Sequence, residues 1–160
     1  MVKNIQSKDP KILKSRTVSR LYAVQALFQM EANNISLNKV IYEFKNYRIG
    51  SNIDGFIYHD ADEKLFIDLI NNAVDNQKKI DNLTDIYLKD TWTLGRIDPT
   101  LRAIFRAALS ELIYSKSPPK VIINEFIEIS KAFFPEGKEF KLVNAMLDKI
   151  YNNMNNSKIN

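Results

Sequence analysis

Apolar residues recur every three to four positions along most of this chain, the spacing that gathers them on one side of an α-helix. Leu21, Val24, Leu27 and Phe28 predict a first helix over residues 15–32, with Ser15 as its N-cap. The polar run Asn33, Asn34, Ile35, Ser36 breaks it, and Val40, Ile41, Phe44 and Tyr47 mark a second helix over 37–47. Residues 48–60 hold two of the four glycines and are read as the longest loop. A third helix starts near Ala61, with Asp60 as cap and Glu63 three positions on, and buries Leu65, Phe66, Leu69, Ile70, Ala73 and Val74. Whether residues 75–79 interrupt that helix stays open, because Ile80, Leu83, Ile86 and Tyr87 carry the period onward. Asp98 followed by Pro99 is a strong helix start, since proline at the first helical position lacks an N–H that would be unbonded anyway. Leu101, Ile104, Phe105, Ala108, Leu109 and Leu112 follow on one side. The Ser117–Pro118–Pro119–Lys120 run separates it from a helix bearing Val121, Ile122, Phe126, Ile129 and Phe133. After the break at residues 134–138 a last helix spans about 139–151, with Leu142, Val143, Met146, Leu147 and Ile150 inward.

The pattern thus predicts an all-α bundle of about seven helices and no strand. It is one domain over 15–151, in two halves of about 15–75 and 76–151. Residues 1–14 read as a flexible basic arm and 152–160 as a frayed polar tail. At 160 residues a single core suffices without a disulfide or metal staple. Zero cysteines exclude disulfides, thiolate catalysis and cysteine-ligated zinc. No stretch is apolar for long enough to span a membrane, and no secretory signal is present, so a cytoplasmic location is expected.

Charge changes this picture more than composition does. The net charge is +4, but residues 1–20 carry +5, residues 21–90 carry −4 and residues 91–160 carry +3. A basic end and an acidic middle imply a polyanion on one face and another contact elsewhere. Catalytic chemistry is hard to assemble. The single histidine, His59, lies in a loop beside Asp60 without a third ligand at helical spacing, and is read as solvated rather than metal-binding. There is no phosphate-cradling glycine loop and no serine elbow. Binding is favoured over catalysis, with no cofactor and no metal.

Arg16 and Arg20 stand four apart at the start of the first helix, on one side, a turn below Ala23 and Leu27. Like charges at this spacing repel, and cations near a helix N-terminus oppose the macrodipole. Phosphates of a partner would relieve both costs. The alternative is that both arginines lie over the core and pair with Glu31 or other acids. Together with Tyr22 and Phe28 the arginines fit single-stranded RNA, although aromatics at helical spacing more often belong to a core.

Four segments in order carry a family resemblance: SRLYAVQALFQ, WTLGRIDPTLRAIFRAALSELIY, PPKVIINEFIEISKAF and KLVNAMLDKIY. From residue 16 to 151 the chain resembles the NusB family of transcription antitermination factors. The resemblance implies an all-helical fold that binds boxA RNA together with the small-subunit ribosomal protein NusE. The pair would load onto RNA polymerase and act chiefly in ribosomal RNA operons. By position it implies RNA contacts at Arg16 and Arg20, and at Phe28, where the family commonly has a tyrosine. The loop before the last helix would add Lys138 and Lys141, with Leu142 where an aromatic often sits. Thr17 and Val18 replace frequent arginines, offset by Lys11 and Lys14 upstream, and the 132–140 loop is bulkier than usual. Asn124, Glu125, Asn144 and Asp148 are read as holding helices together, as are Arg102 and Arg106, with Asp98 as an intrahelical partner for Arg102. Trp92 is read as an anchor between the halves, in a position that also suits the protein partner. Whether the free protein is a monomer or a homodimer stays open. A NusB-like module also occurs fused to a ribosomal-RNA methyltransferase, but these 160 residues contain no nucleotide-binding βαβ unit.

Overall fold

The computed structural model describes residues 15–50, 52–53, 56–57, 60–88 and 92–157. Among them are seven helices: α1 (Ser15–Asn33), α2 (Leu37–Tyr47), α3 (Glu63–Asp75), α4 (Gln77–Tyr87), α5 (Pro99–Tyr114), α6 (Pro119–Phe133) and α7 (Glu139–Ser157). The loop after α2 adds a minimal antiparallel pair, β1 (Asn52–Ile53) and β2 (Phe56–Ile57), which helical periodicity did not anticipate. Lys11, Lys14 and His59 lie outside the described residues.

Short-range chemistry sets several helix ends. The Ser36 hydroxyl accepts from the Lys39 N–H, and Asp98 accepts from Thr100 N–H at 2.7 Å with Pro99 behind it. Asn34 takes a left-handed conformation (φ 51°), so that the Ile35 N–H reaches back to the Met30 carbonyl and closes α1. The start of α3 differs from expectation. The cap of α3 is Asp62, whose carboxylate accepts from Leu65 N–H at 3.0 Å, and not Asp60. The open question at 75–79 resolves as a break at Asn76, whose side chain donates to the Asn72 carbonyl and separates α3 from α4.

The central helix is α5, which packs against α1, α3, α4, α6 and α7. Its Ile104, Phe105, Ala107, Ala108 and Leu109 are fully buried, and the alanines let neighbouring helices approach closely. Helices α1, α2 and α3 close over Phe44, stacked on Phe66 at 5.3 Å and met edge-on by Tyr22 at 5.9 Å. Tyr22 is therefore a core residue, not a stacking platform. Phe126, Val143, Leu147 and Ile150 are buried mainly where α6 lies along α7. Residues 152–157, expected to fray, continue α7: Met154 packs on the core, and Asn153 bonds to the Tyr87 hydroxyl on α4. Trp92 is 54% exposed and does not anchor the two halves. Among the described residues no helix is long and apolar enough to cross a membrane.

Arg102 and Arg106 are structural, though not by the expected pairing. Both bind Glu31 at the end of α1, Arg106 also forks onto Asp81 of α4, and Arg102 donates to the Leu94 carbonyl. Asp98 is committed to its cap instead. This cluster fastens α1, α4 and α5 at one point.

Candidate nucleic-acid interface

The start of α1 is laced to the start of α3. Ser19 Oγ donates to the Asp62 carbonyl at 2.6 Å, and Asp62 N–H donates to the Ser15 carbonyl at 3.2 Å. These bonds hold Arg16 at a fixed place with its side chain 50% exposed. Its Nη2 donates to Ser117 Oγ at 3.1 Å, and its Nη1 lies 3.4 Å from Asp62, a long and exposed contact worth little. Arg16 is thus oriented but open to water.

Arg20 is not. Its Nε and Nη2 donate to the two oxygens of Glu111 at 2.8 and 2.7 Å, a bidentate fork, and Nη1 stands 3.5 Å from Glu125. The side chain is 3% exposed. Burial works against the cation, but the Glu111 bond and charge, helped by Glu125, outweigh it and raise the pKa above the ordinary arginine value. The reading of Arg20 as a phosphate contact is corrected accordingly: its counter-charge comes from the same fold, 91 residues along the chain. Local sequence could not show this. The available signal was Glu111 itself, a carboxylate amid the apolar residues of α5, which needs a buried cation.

Around Arg16 the ends of four helices frame an open groove of about 760 Å³. Arg16, Lys64, Lys116, Ser117, Tyr114 and Val121 contribute to its walls. Lys64 is bound to Asp68 at 2.7 Å, whereas Lys116 is exposed. Lys79 sits 5.7 Å from the centroid of the Tyr114 ring. Asp62, Asp68, Glu111 and Glu125 also line the groove and pair with Arg16, Lys64 and Arg20, so what it offers a phosphate and a base is the half-open Arg16, Lys116 and the Tyr114 ring.

The other expected contacts lie elsewhere. Lys138 and Lys141 are exposed at the start of α7. Between them Phe140, unremarked in the sequence, has the ammonium groups of Lys131 and Lys141 at 5.2 and 6.0 Å from its centroid. Leu142 is half-buried. Arg16 meets Ser117 just before α6, and Lys131 is near that helix's far end, so the two basic clusters are about 20 Å apart along α6. Phe28 is half-buried and packs on the core. Of the four polar residues expected to hold helices together, Glu125 does so through Arg20, while Asn124, Asn144 and Asp148 are exposed. No group of three or more His, Cys, Asp or Glu is arranged to hold a metal among the described residues.

Comparison with known proteins bears on the family and the fold. The model of the NusB family matches residues 17–152. The transcription antitermination protein NusB of Bartonella tribocorum is 46% identical over 142 residues, covering 88% of this chain and 90% of that protein. That of Sinorhizobium fredii is 45% identical, covering 84% of each. T. maritima NusB superposes with a TM-score of 0.68 at 30% identity, over 88% of this chain and 93% of that one. A NusB crystallised with NusE and double-stranded RNA shares the fold, with a TM-score of 0.66 at 23% identity and coverage of 88% and 98%. Family model, relatives and fold converge on one conclusion: the chain belongs to the NusB family, whose curated members are transcription antitermination proteins.

Proposed function

We propose that this chain is an RNA-binding antitermination factor that engages boxA-like single-stranded RNA jointly with the ribosomal protein NusE. The pair would join RNA polymerase and support transcription of ribosomal RNA operons. The observation that carries the reading is Arg16: a guanidinium pinned in place by the α1–α3 lacing, half open, at the mouth of a groove shared with Lys116 and Tyr114.

Phosphate contacts from Arg16, with Lys11 and Lys14 of the arm, would supply a salt-sensitive affinity that sets position but not sequence. Lys138, Lys141 and Phe140 would form a second contact for a strand running along α6. Phe28 would act through the part of its ring that the core leaves uncovered. Arg20 takes a positioning role, tying the arginine-bearing turn of α1 to α5 and α6. For NusE, the support is Ile86 and Trp92, exposed at 73% and 54% at the end of α4 and just beyond it. The acidic middle contributes less than its charge implied, because Asp81 is held by Arg106 and Asp85 accepts from Leu94 N–H.

The test is a filter-binding titration of a boxA oligoribonucleotide against a scrambled one, with and without NusE. Preference for boxA that strengthens with NusE supports the reading. Equal, weak binding of both RNAs in both conditions overturns it.

A further inference from the structure

The outward face of α2 carries two exposed aromatic rings in contact with each other. Tyr42 and Tyr47 are 60% and 54% exposed, and their rings meet edge-to-face with centroids 6.2 Å apart. Single exposed aromatics are ordinary. Two that hold each other upright in water form a platform, because an edge-to-face pair leaves ring surface open. Asn38, Lys39 and Asn46 are exposed around them. Asn46 donates an amide N–H to the Tyr42 carbonyl at 2.8 Å.

The platform connects to the interface already described. Arg16 contacts Asp62, and Lys45 of α2 contacts Glu63 at 3.3 Å. Adjacent residues at the head of α3 thus hold the outer cation of α1 and a cation from the tyrosine-bearing helix. Both ion pairs are solvent-exposed, so phosphate can replace the carboxylates at small cost. Glu43, the carboxylate within α2, is occupied by Gln29 and Arg48. Arg16 and Lys45 therefore flank the head of α3, and Lys45 shares α2 with the two rings.

We propose that the Tyr42–Tyr47 face of α2 extends the RNA interface, stacking unpaired nucleotides that run past Arg16 over the head of α3. The inference rests on the RNA-binding reading and adds a second segment of RNA beyond the core element. Rings accept any base, so this contact adds affinity without sequence preference.

The experiment compares a core boxA oligonucleotide with the same RNA extended by about ten unpaired nucleotides on each side. Wild type should bind the extended RNA about tenfold more tightly, as expected for one or two stacked bases. Tyr42→Ala/Tyr47→Ala should erase that gain and leave core-RNA affinity unchanged, while Tyr42→Phe/Tyr47→Phe should retain it. An undiminished gain in the alanine variant overturns the inference and leaves this face to a protein partner. Core binding with no gain on extension in wild type overturns the inference alone. Failure of both RNAs to bind overturns the RNA reading itself.

Discussion

Arg20 on α1 and Glu111 on α5 form a bidentate salt bridge, with N···O distances of 2.8 and 2.7 Å and both side chains almost wholly removed from water. Breaking such a pair from one side leaves an uncompensated buried charge, which typically costs about 3–5 kcal/mol. Arg20→Ala and Glu111→Ala should each destabilise by about that much in urea denaturation. Arg20→Met/Glu111→Leu, which removes both charges and keeps volume, should recover most of the loss. Singles costing under about 1 kcal/mol would show that the pair is not formed in solution.

Glu31 provides a pH test. The Arg102 hydrogen bond, then its charge and the bond and charge of Arg106, outweigh burial and hold this carboxyl below the ordinary glutamate value. A carboxyl depressed on folding contributes stability that is complete above its unfolded pKa, near 4.5. That contribution is lost as pH falls through the folded value. Wild type should therefore lose stability more steeply than Glu31→Gln between about pH 5 and pH 3, measured by thermal melts. Parallel acid limbs would contradict the clamp.

Two glycines give a contrast in backbone strain. Gly50 has φ +65°, and a Cβ there would collide with the Asp60 carboxylate, whereas a Cβ at Gly95 meets nothing within 4 Å. Gly50→Ala should cost about 1–2 kcal/mol for the left-handed conformation alone. Gly95→Ala should stay within about 0.5 kcal/mol of wild type in the same denaturation assay. Equal effects would refute the left-handed assignment.

The helices were legible because their signals are local. Asp98–Pro99 and the 3–4 residue apolar spacing act within one or two turns, and α5 begins and buries as they imply. The continuation of α7 past Tyr151 was not legible, because Met154 and Asn153 gain their partners from elements far away in sequence. The site divides in the same way. The two arginines at the head of α1 stood out as locally unfavourable, but only the tertiary structure separates them: Arg20 finds Glu111, and Arg16 keeps an open face. Trp92 illustrates the opposite failure, since its size argued for burial and its place at the surface leaves it exposed.

Division of labour between the two arginines is the centre of the account, and the salt dependence of RNA binding tests it most directly. Log Kd for a boxA oligoribonucleotide would be measured against log salt for wild type, Arg16→Ala and Arg20→Met/Glu111→Leu. Arg16→Ala should lower the slope by about 0.7, the contribution of one phosphate contact on a single strand, and the double variant should match wild type. A wild-type slope in Arg16→Ala, or a loss of about one contact in the double variant, would contradict the assignment.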